Sequence, residues 1–232
     1  MKLRLPSSAL LLCLSFGLVA TAQSAEPGWY LLGHGGQSSA SGLGQGQVDD
    51  NLVAIYNSVG LDVLTASSTL DDSDTGFGLG GGIQVNDNFA FEFVYVNLGS
   101  IDYQSSGTVS DGVDTFAAEA DLSNSVDGAV LSVLGILPVG ERFSVFGRAG
   151  LSLLSVEGKA RITVDGISQR DSQSTQTSDP VLGIGAEYSV SDHFAVRLAW
   201  DRYLDVGTND VMGDTDVDYF SLGVRMSVGW FR

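Results

Sequence analysis

Between positions 219 and 230 the chain alternates without a break. Phe220, Leu222, Val224, Met226, Val228 and Trp230 fall on one face, and Tyr219, Ser221, Gly223, Arg225, Ser227 and Gly229 on the other. A period of two is a β-strand with two different environments. A soluble sheet buries such an apolar face in a core, whereas a barrel in lipid turns it outward and keeps the small and polar face inside. Which solvent that face meets decides most of what the chain can be.

The first residues bear on the choice. Lys2 and Arg4 precede an apolar stretch from Leu10 to Ala20, and Ala20-Thr21-Ala22 has the small-x-small spelling of a cleavage site, with Gln23-Ser24-Ala25 as a second candidate. The stretch is too short for a membrane span and reads as a secretory signal peptide over 1–22, leaving a barrel domain over 26–232. Cys13 lies inside it and lacks the small preceding residue that lipidation requires, so the mature chain has no cysteine, disulfide or thiolate metal site. About 207 residues remain, a size that suits one all-β domain.

Eight segments read as strands: 28–37, 75–85, 89–103, 115–137, 142–164, 178–190, 194–206 and 217–230. The fourth and fifth are long enough to extend beyond a bilayer. Tight turns at 86–88, 138–141 and 191–193 alternate with longer polar loops near 38–74, 104–114, 165–177 and 207–216, the pattern of an up-and-down outer-membrane barrel. Trp29, Phe89, Phe143, Tyr188, Phe194 and Trp230 all fall at the short-turn end on the outward phase of their strands. A ring of aromatics at one rim is expected of a membrane–water girdle, and Tyr95 and Trp200 are candidates for the opposite one. Within the first loop, Asp49-Asp50-Asn51 ahead of Leu52, Ile55, Tyr56 and Val59 predicts a short helix that packs on the loop itself.

Charge is lopsided. Without Lys2 and Arg4, the 11 basic residues fall to nine against 28 acidic ones, a net of −19, and no Lys or Arg occurs between Leu5 and Glu141. Nucleic acid is a poor partner for such a chain. Its acidic loops read first as a solvated surface, with cation-bridged contacts to other anionic surface molecules as the sharper alternative. In barrel phase, Glu92, Arg148, Glu187, Arg197, Asp201 and Arg225 point inward, with His34 beside them. An arginine facing lipid would cost about 2–4 kcal/mol near the midplane, whereas three acids and three arginines in the lumen neutralise one another. Glu92 has no base in its own half of the sequence, so a partner must be Arg148, Arg197 or Arg225. Two readings stay open: a network that closes the lumen, or separate hydrated charges with no net stabilising role. Gly76, Gly78, Gly80 and Gly82 occupy successive inward positions and make room for Tyr30, Leu32, His34 and Glu92.

Catalysis finds little to stand on. The histidines His34 and His193 lie apart, no G-x-S-x-G occurs, and no His-x-Ser pair resembles that of lipid A deacylase barrels. Asp214-x-Asp216-x-Asp218 begins like a calcium loop, but Tyr219 stands where glycine is needed. The expectation is no enzyme, no cofactor and no metal.

Several segments resemble the OmpA-type transmembrane domain: Gly28-Trp29-Tyr30; Asp71-Asp72-Ser73-Asp74-Thr75-Gly76-Phe77 running into Gly82-Ile83-Gln84-Val85-Asn86; Phe91-Glu92-Phe93-Val94-Tyr95; Phe146-Gly147-Arg148-Ala149-Gly150; Gly183-Ile184-Gly185-Ala186-Glu187-Tyr188; Arg197-Leu198-Ala199-Trp200; and Phe220-Ser221-Leu222-Gly223-Val224. The resemblance implies an eight-stranded antiparallel up-and-down transmembrane β-barrel in the outer membrane of a Gram-negative bacterium, with Glu92 paired inside to bases such as Arg148. Two features depart from the family. The chain stops at Arg232 with no room for a periplasmic peptidoglycan-binding domain, and Met226 and Val228 stand where Tyr and Phe are common. Outer-membrane lipids and lipopolysaccharide are the expected surroundings. The expected role is structural, with surface contacts through the acidic loops; a narrow porin-like channel for small solutes is the alternative, although eight strands usually leave a lumen that side chains fill.

Overall fold

A computed structural model describes residues 28–206 and 215–228. The signal segment, Asp214 and Trp230 lie outside the described residues. The elements are β1 (Gly28–Ser41), α1 (Gln45–Ser58), β2 (Asp62–Asp71), β3 (Ser73–Asn86), β4 (Phe89–Ser110), β5 (Thr115–Pro138), β6 (Phe143–Val164), β7 (Ile167–Ser189), β8 (Phe194–Val206) and β9 (Thr215–Val228). All strand pairs are antiparallel. The order is β2-β4-β3-β1-β9-β8-β7-β6-β5, and β4 also pairs with β5. That last pairing closes a ring of eight strands and removes the sheet edges a membrane forbids.

The ninth strand, β2, is an addition outside the ring and corrects the expected count of eight. It pairs with the outer half of β4, from Asp62 opposite Ser110 to Asp71 opposite Asp102, while β3 takes the inner half from Phe77 opposite Asn97. The segment 38–74 is therefore no simple loop, since it holds both α1 and β2. The segments 104–114 and 165–177 also differ from expectation. Ser and Thr there read as loop, yet β4 pairs with β5 out to Ser110–Thr115, and β6 with β7 out to Val164–Ile167. Ladder hydrogen bonds decide, and polar residues suit a strand with water on both faces.

Within the membrane the alternation holds. Ala90, Glu92, Val94 and Val96 are buried while Phe89, Phe91, Phe93 and Tyr95 are exposed to the surroundings. At Gly99 the rhythm breaks. Its φ of +79° and the register shift between Asn97 and Ser100 mark a β-bulge, a conformation that glycine adopts without strain. The bulge moves the inward phase from even to odd positions, so Tyr103 and Val109 are buried.

Above the bulge, α1 lies against the inward face of the projecting sheet. Val48, Leu52 and Tyr56, one turn apart, pack with Tyr103, Val109, Ala118 and Ala120. The helix starts after Gly44, a turn earlier than the expected Asp49-Asp50-Asn51 cap, because Val48 belongs to the buried stripe. Ile55 and Val59 of the expected face are instead exposed. Tyr103 Oη donates to Asp49 Oδ1 at 2.5 Å, and Gln45 Nε2 donates to the Ser68 carbonyl at 2.9 Å.

Candidate functional site: the barrel lumen

Six side chains from five strands meet in the lumen as a chain of alternating charge. Asp201 (β8) accepts from Arg148 (β6) at 2.7 Å, and Arg148 donates to Glu92 (β4) at 2.8 Å. Glu92 accepts from Arg197 (β8) at 2.5 Å, Arg197 donates to Glu187 (β7) at 2.8 Å, and Glu187 pairs with Arg225 (β9) at 3.1 Å. All six side chains are no more than 8% exposed. Their formal charges cancel, which a cluster removed from water requires.

Topology gives this cluster its reach. In the ring β4-β3-β1-β9-β8-β7-β6-β5, strand β8 stands four steps from β4 in either direction. The Glu92–Arg197 contact therefore crosses the full width of the barrel. Both Arg148 and Arg197 hold Glu92, while Arg225 reaches Glu187 and Gln84 instead, the latter at 3.2 Å. His34 stands apart. It is half-buried, its Nδ1 lies 3.2 Å from Tyr219 Oη, and among the described residues no hydrogen bond joins it to the six charges.

Glycine makes the space. A Cβ on Gly82 would lie 2.5 Å from the Tyr30 hydroxyl, and one on Gly78 would lie 2.3 Å from the His34 ring. On β7 the same device recurs. A Cβ on Gly183 would meet Asp201 Oδ1 at 2.0 Å, and one on Gly185 the Phe146 ring at 2.3 Å. Phe146 and Gln84 escaped the sequence reading, which places Tyr30 inward without joining it to the charges. Tyr30 Oη donates to Glu92 Oε1 at 2.8 Å, and its ring lies 4.6 Å from the Arg225 guanidinium. The Phe146 ring sits 4.8 Å from the Arg197 guanidinium. Gln84 accepts from Arg225. The inward glycines of β7 were the available signal, because a strand that omits Cβ atoms marks where neighbours are bulky.

Above the charges the lumen turns apolar. Val94, Val96, Leu98, Val126, Val130, Leu154, Val181, Val206 and Val217 form one buried cluster with Tyr203 and Tyr219. On the outside, Trp29, Phe89, Phe143, Tyr188 and Phe194 are exposed at the end of the short turns, with Phe143 directly opposite Tyr188. At the other end Trp200 Nε1 donates to Asp218 Oδ1 at 3.1 Å, and Tyr95 Oη donates to Asp127 Oδ2 at 2.9 Å. Asp218 also takes Arg202 at 2.6 Å, so this acid serves an ion pair within β8 and β9 rather than a calcium loop.

Several known proteins are similar to this chain. The 31 kDa outer-membrane immunogenic proteins of Brucella melitensis biotype 1 and Brucella suis biovar 1 are each 26% identical over 155 residues, 66% of this chain and 62% of theirs. The chain thus spans less than two thirds of the length of these curated relatives. Among solved structures, outer membrane protein OprG from Pseudomonas aeruginosa is 15% identical with a TM-score of 0.46, covering 89% of this chain and 100% of its own. Neisserial surface protein A is 12% identical with a TM-score of 0.43, covering 86% and 97%. The attachment invasion locus protein of Yersinia pestis, in complex with the heparin analogue sucrose octasulfate, is 14% identical with a TM-score of 0.43, covering 86% and 99%. The family described as the OmpA-like transmembrane domain matches residues 29–230, and this chain, a closed antiparallel β-barrel with its apolar face outward, belongs to that family of Gram-negative outer-membrane proteins.

Proposed function

We propose that this protein is a non-enzymatic outer-membrane barrel with a closed lumen, whose projecting outer half makes surface contacts. Residues 1–22 serve as its signal peptide, and Trp29, Phe89, Phe143, Tyr188 and Phe194 as its periplasmic-side girdle. The observation that carries the closed lumen is the six-residue chain of alternating charge, which crosses from β4 to β8. The formal charges of the cluster cancel, although Arg148 Nε and Asp201 Oδ1 keep no hydrogen-bond partner among the described residues, and the layer above them is mostly apolar, with few polar groups such as Ser152 and Asp179. The acidic surface keeps the projecting half soluble.

The narrow channel is the second reading, and one observation favours it. A cavity of about 40 Å³ at the short-turn end and another of about 10 Å³ beside His34 both touch Arg197 and Arg225. These two side chains stand between them. Planar-bilayer recording of the refolded protein separates the readings. A silent wild type, with conductance appearing in Arg197→Ala, supports a lumen closed by the cluster. Steady wild-type conductance that Glu92→Gln leaves unchanged would sink it.

A further inference from the structure

The bases outside the lumen are few, and their placement is uneven. Arg142 lies exposed in the β5–β6 turn, and Arg202 is held by Asp218. The other three described ones, Lys159, Arg161 and Arg170, sit together on the outer hairpin of β6 and β7. Arg161 stands directly opposite Arg170, and Lys159 opposite Ser172. Residues opposite each other in an antiparallel pair project to the same face with Cβ atoms about 5 Å apart, and like charges so placed repel. A chain with 28 acidic residues has abundant material to relieve that repulsion. It does so for Lys159, which Glu157 meets at 3.2 Å. Among the described residues neither arginine has an ion pair, although Asp121 lies opposite Arg161 on β5. Two opposed guanidiniums offer ten N–H donors in planar forks suited to tetrahedral oxyanions.

Their face and height restrict the ligand. Along β6 the exposed residues Leu151 and Leu153 share the outward phase with Lys159 and Arg161, so the pair looks toward the surrounding leaflet and away from the lumen. Leu153 is the last exposed apolar residue of that phase, and Arg161 is eight positions further on. At about 3.3 Å per residue and a strand tilt near 40°, Arg161 rises roughly 20 Å above the hydrocarbon edge. Headgroups occupy only about 5–8 Å of that height. The pair thus clears the lipid phosphates and stands among the saccharides that the outer leaflet carries. Ser172 and Ser174 on the same face supply hydroxyls for sugar contacts.

We propose that Arg161 and Arg170 form an anion site for the phosphate-bearing core sugars of lipopolysaccharide in the same leaflet. The proposal rests on the surface-contact reading and is independent of the closed lumen. The refolded chain in zwitterionic nanodiscs is titrated with soluble, deacylated core oligosaccharide in phosphorylated and dephosphorylated forms. The phosphorylated form should bind the wild type about tenfold more tightly than it binds R161Q/R170Q, the loss expected for one or two charge-assisted hydrogen bonds. Arg142→Gln, which removes one positive charge from the short turn on the other side, should bind as the wild type does. Equal wild-type affinity for the two saccharide forms overturns the site without recourse to any variant, as does wild-type affinity in R161Q/R170Q. Competition by inorganic phosphate at the saccharide's own concentration would reduce it to a general anion patch. Conductance should be the same for R161Q/R170Q and the wild type, so this test and that of the lumen fail separately.

Discussion

The inward face of this barrel changes chemistry along its length. In the membrane it carries Asp201, Arg148, Glu92, Arg197, Glu187 and Arg225, linked end to end. Beyond the bulge at Gly99 the same face carries Tyr103, Val109, Ala118 and Ala120, and α1 covers them with Val48, Leu52 and Tyr56. The lower region is ringed by eight strands, so charged side chains can reach partners across a fixed width. The upper region is an open sheet of β2, β4, β5, β6 and β7, and β8 pairs with β7 only from Val181 to Ser189. With no wall opposite among the described residues, that sheet takes a lid from the amphipathic helix. Closure allows polar contents, while an open sheet in water must bury apolar ones.

The largest effect should come from the lower region. Arg197→Ala leaves Glu92 and Glu187 each without one cationic partner in a water-poor lumen, and loss of a buried partner costs about 3–5 kcal/mol. Urea unfolding of the protein refolded in lipid reads this directly. A loss below about 1 kcal/mol would mean that the charges are hydrated and the two regions do not differ as described. Leu52→Ala should cost about 2–4 kcal/mol through lost packing, but only above the membrane. Amide exchange would quicken in α1 and in β4 beyond Gly99 while the membrane part keeps its protection. Faster exchange throughout the barrel would show that the regions form one cooperative unit.

A smaller change tests the tether. Tyr103→Phe removes the hydrogen bond to Asp49 and should cost about 1 kcal/mol, again confined to the helix. The mildest probe is pH. Burial raises the Tyr56 phenol above its ordinary value. Its neutral form is thus favoured in the folded state, and the contribution it makes to α1 docking is complete below the ordinary tyrosine pKa of about 10 and declines as pH rises above it. Helix protection should fall in that alkaline range, and Tyr56→Phe should weaken the dependence, the remainder belonging to Tyr103, whose phenol burial and Asp49 also raise.

Much of the lower region was legible in the alternation itself. Phe220 through Val228, and Phe89 through Tyr95, show which residues face outward, and the six inward charges follow from phase alone. Their order along the alternating chain did not. Arg225 and Arg197 were equal candidates for Glu92, and only the placement of β8 across from β4 separates them. The upper region was read less well, for two physical reasons. A single bulge at Gly99 reverses the phase of the rest of β4, and the alternation of the preceding residues gives no warning. Ser/Thr-rich segments such as 167–177 have the composition of a loop, yet pair as strand because a neighbouring strand is available to bond them.

The sequence by itself determined the local alternation, the charge content of the lumen and the export of an apolar-faced barrel, because side-chain phase and solvent preference are properties of neighbouring residues. The tertiary structure alone decided which acid meets which base, where β2 docks and that Arg161 faces Arg170. Those contacts depend on ring order and register, which are fixed only when strands far apart in the chain pair and the barrel closes.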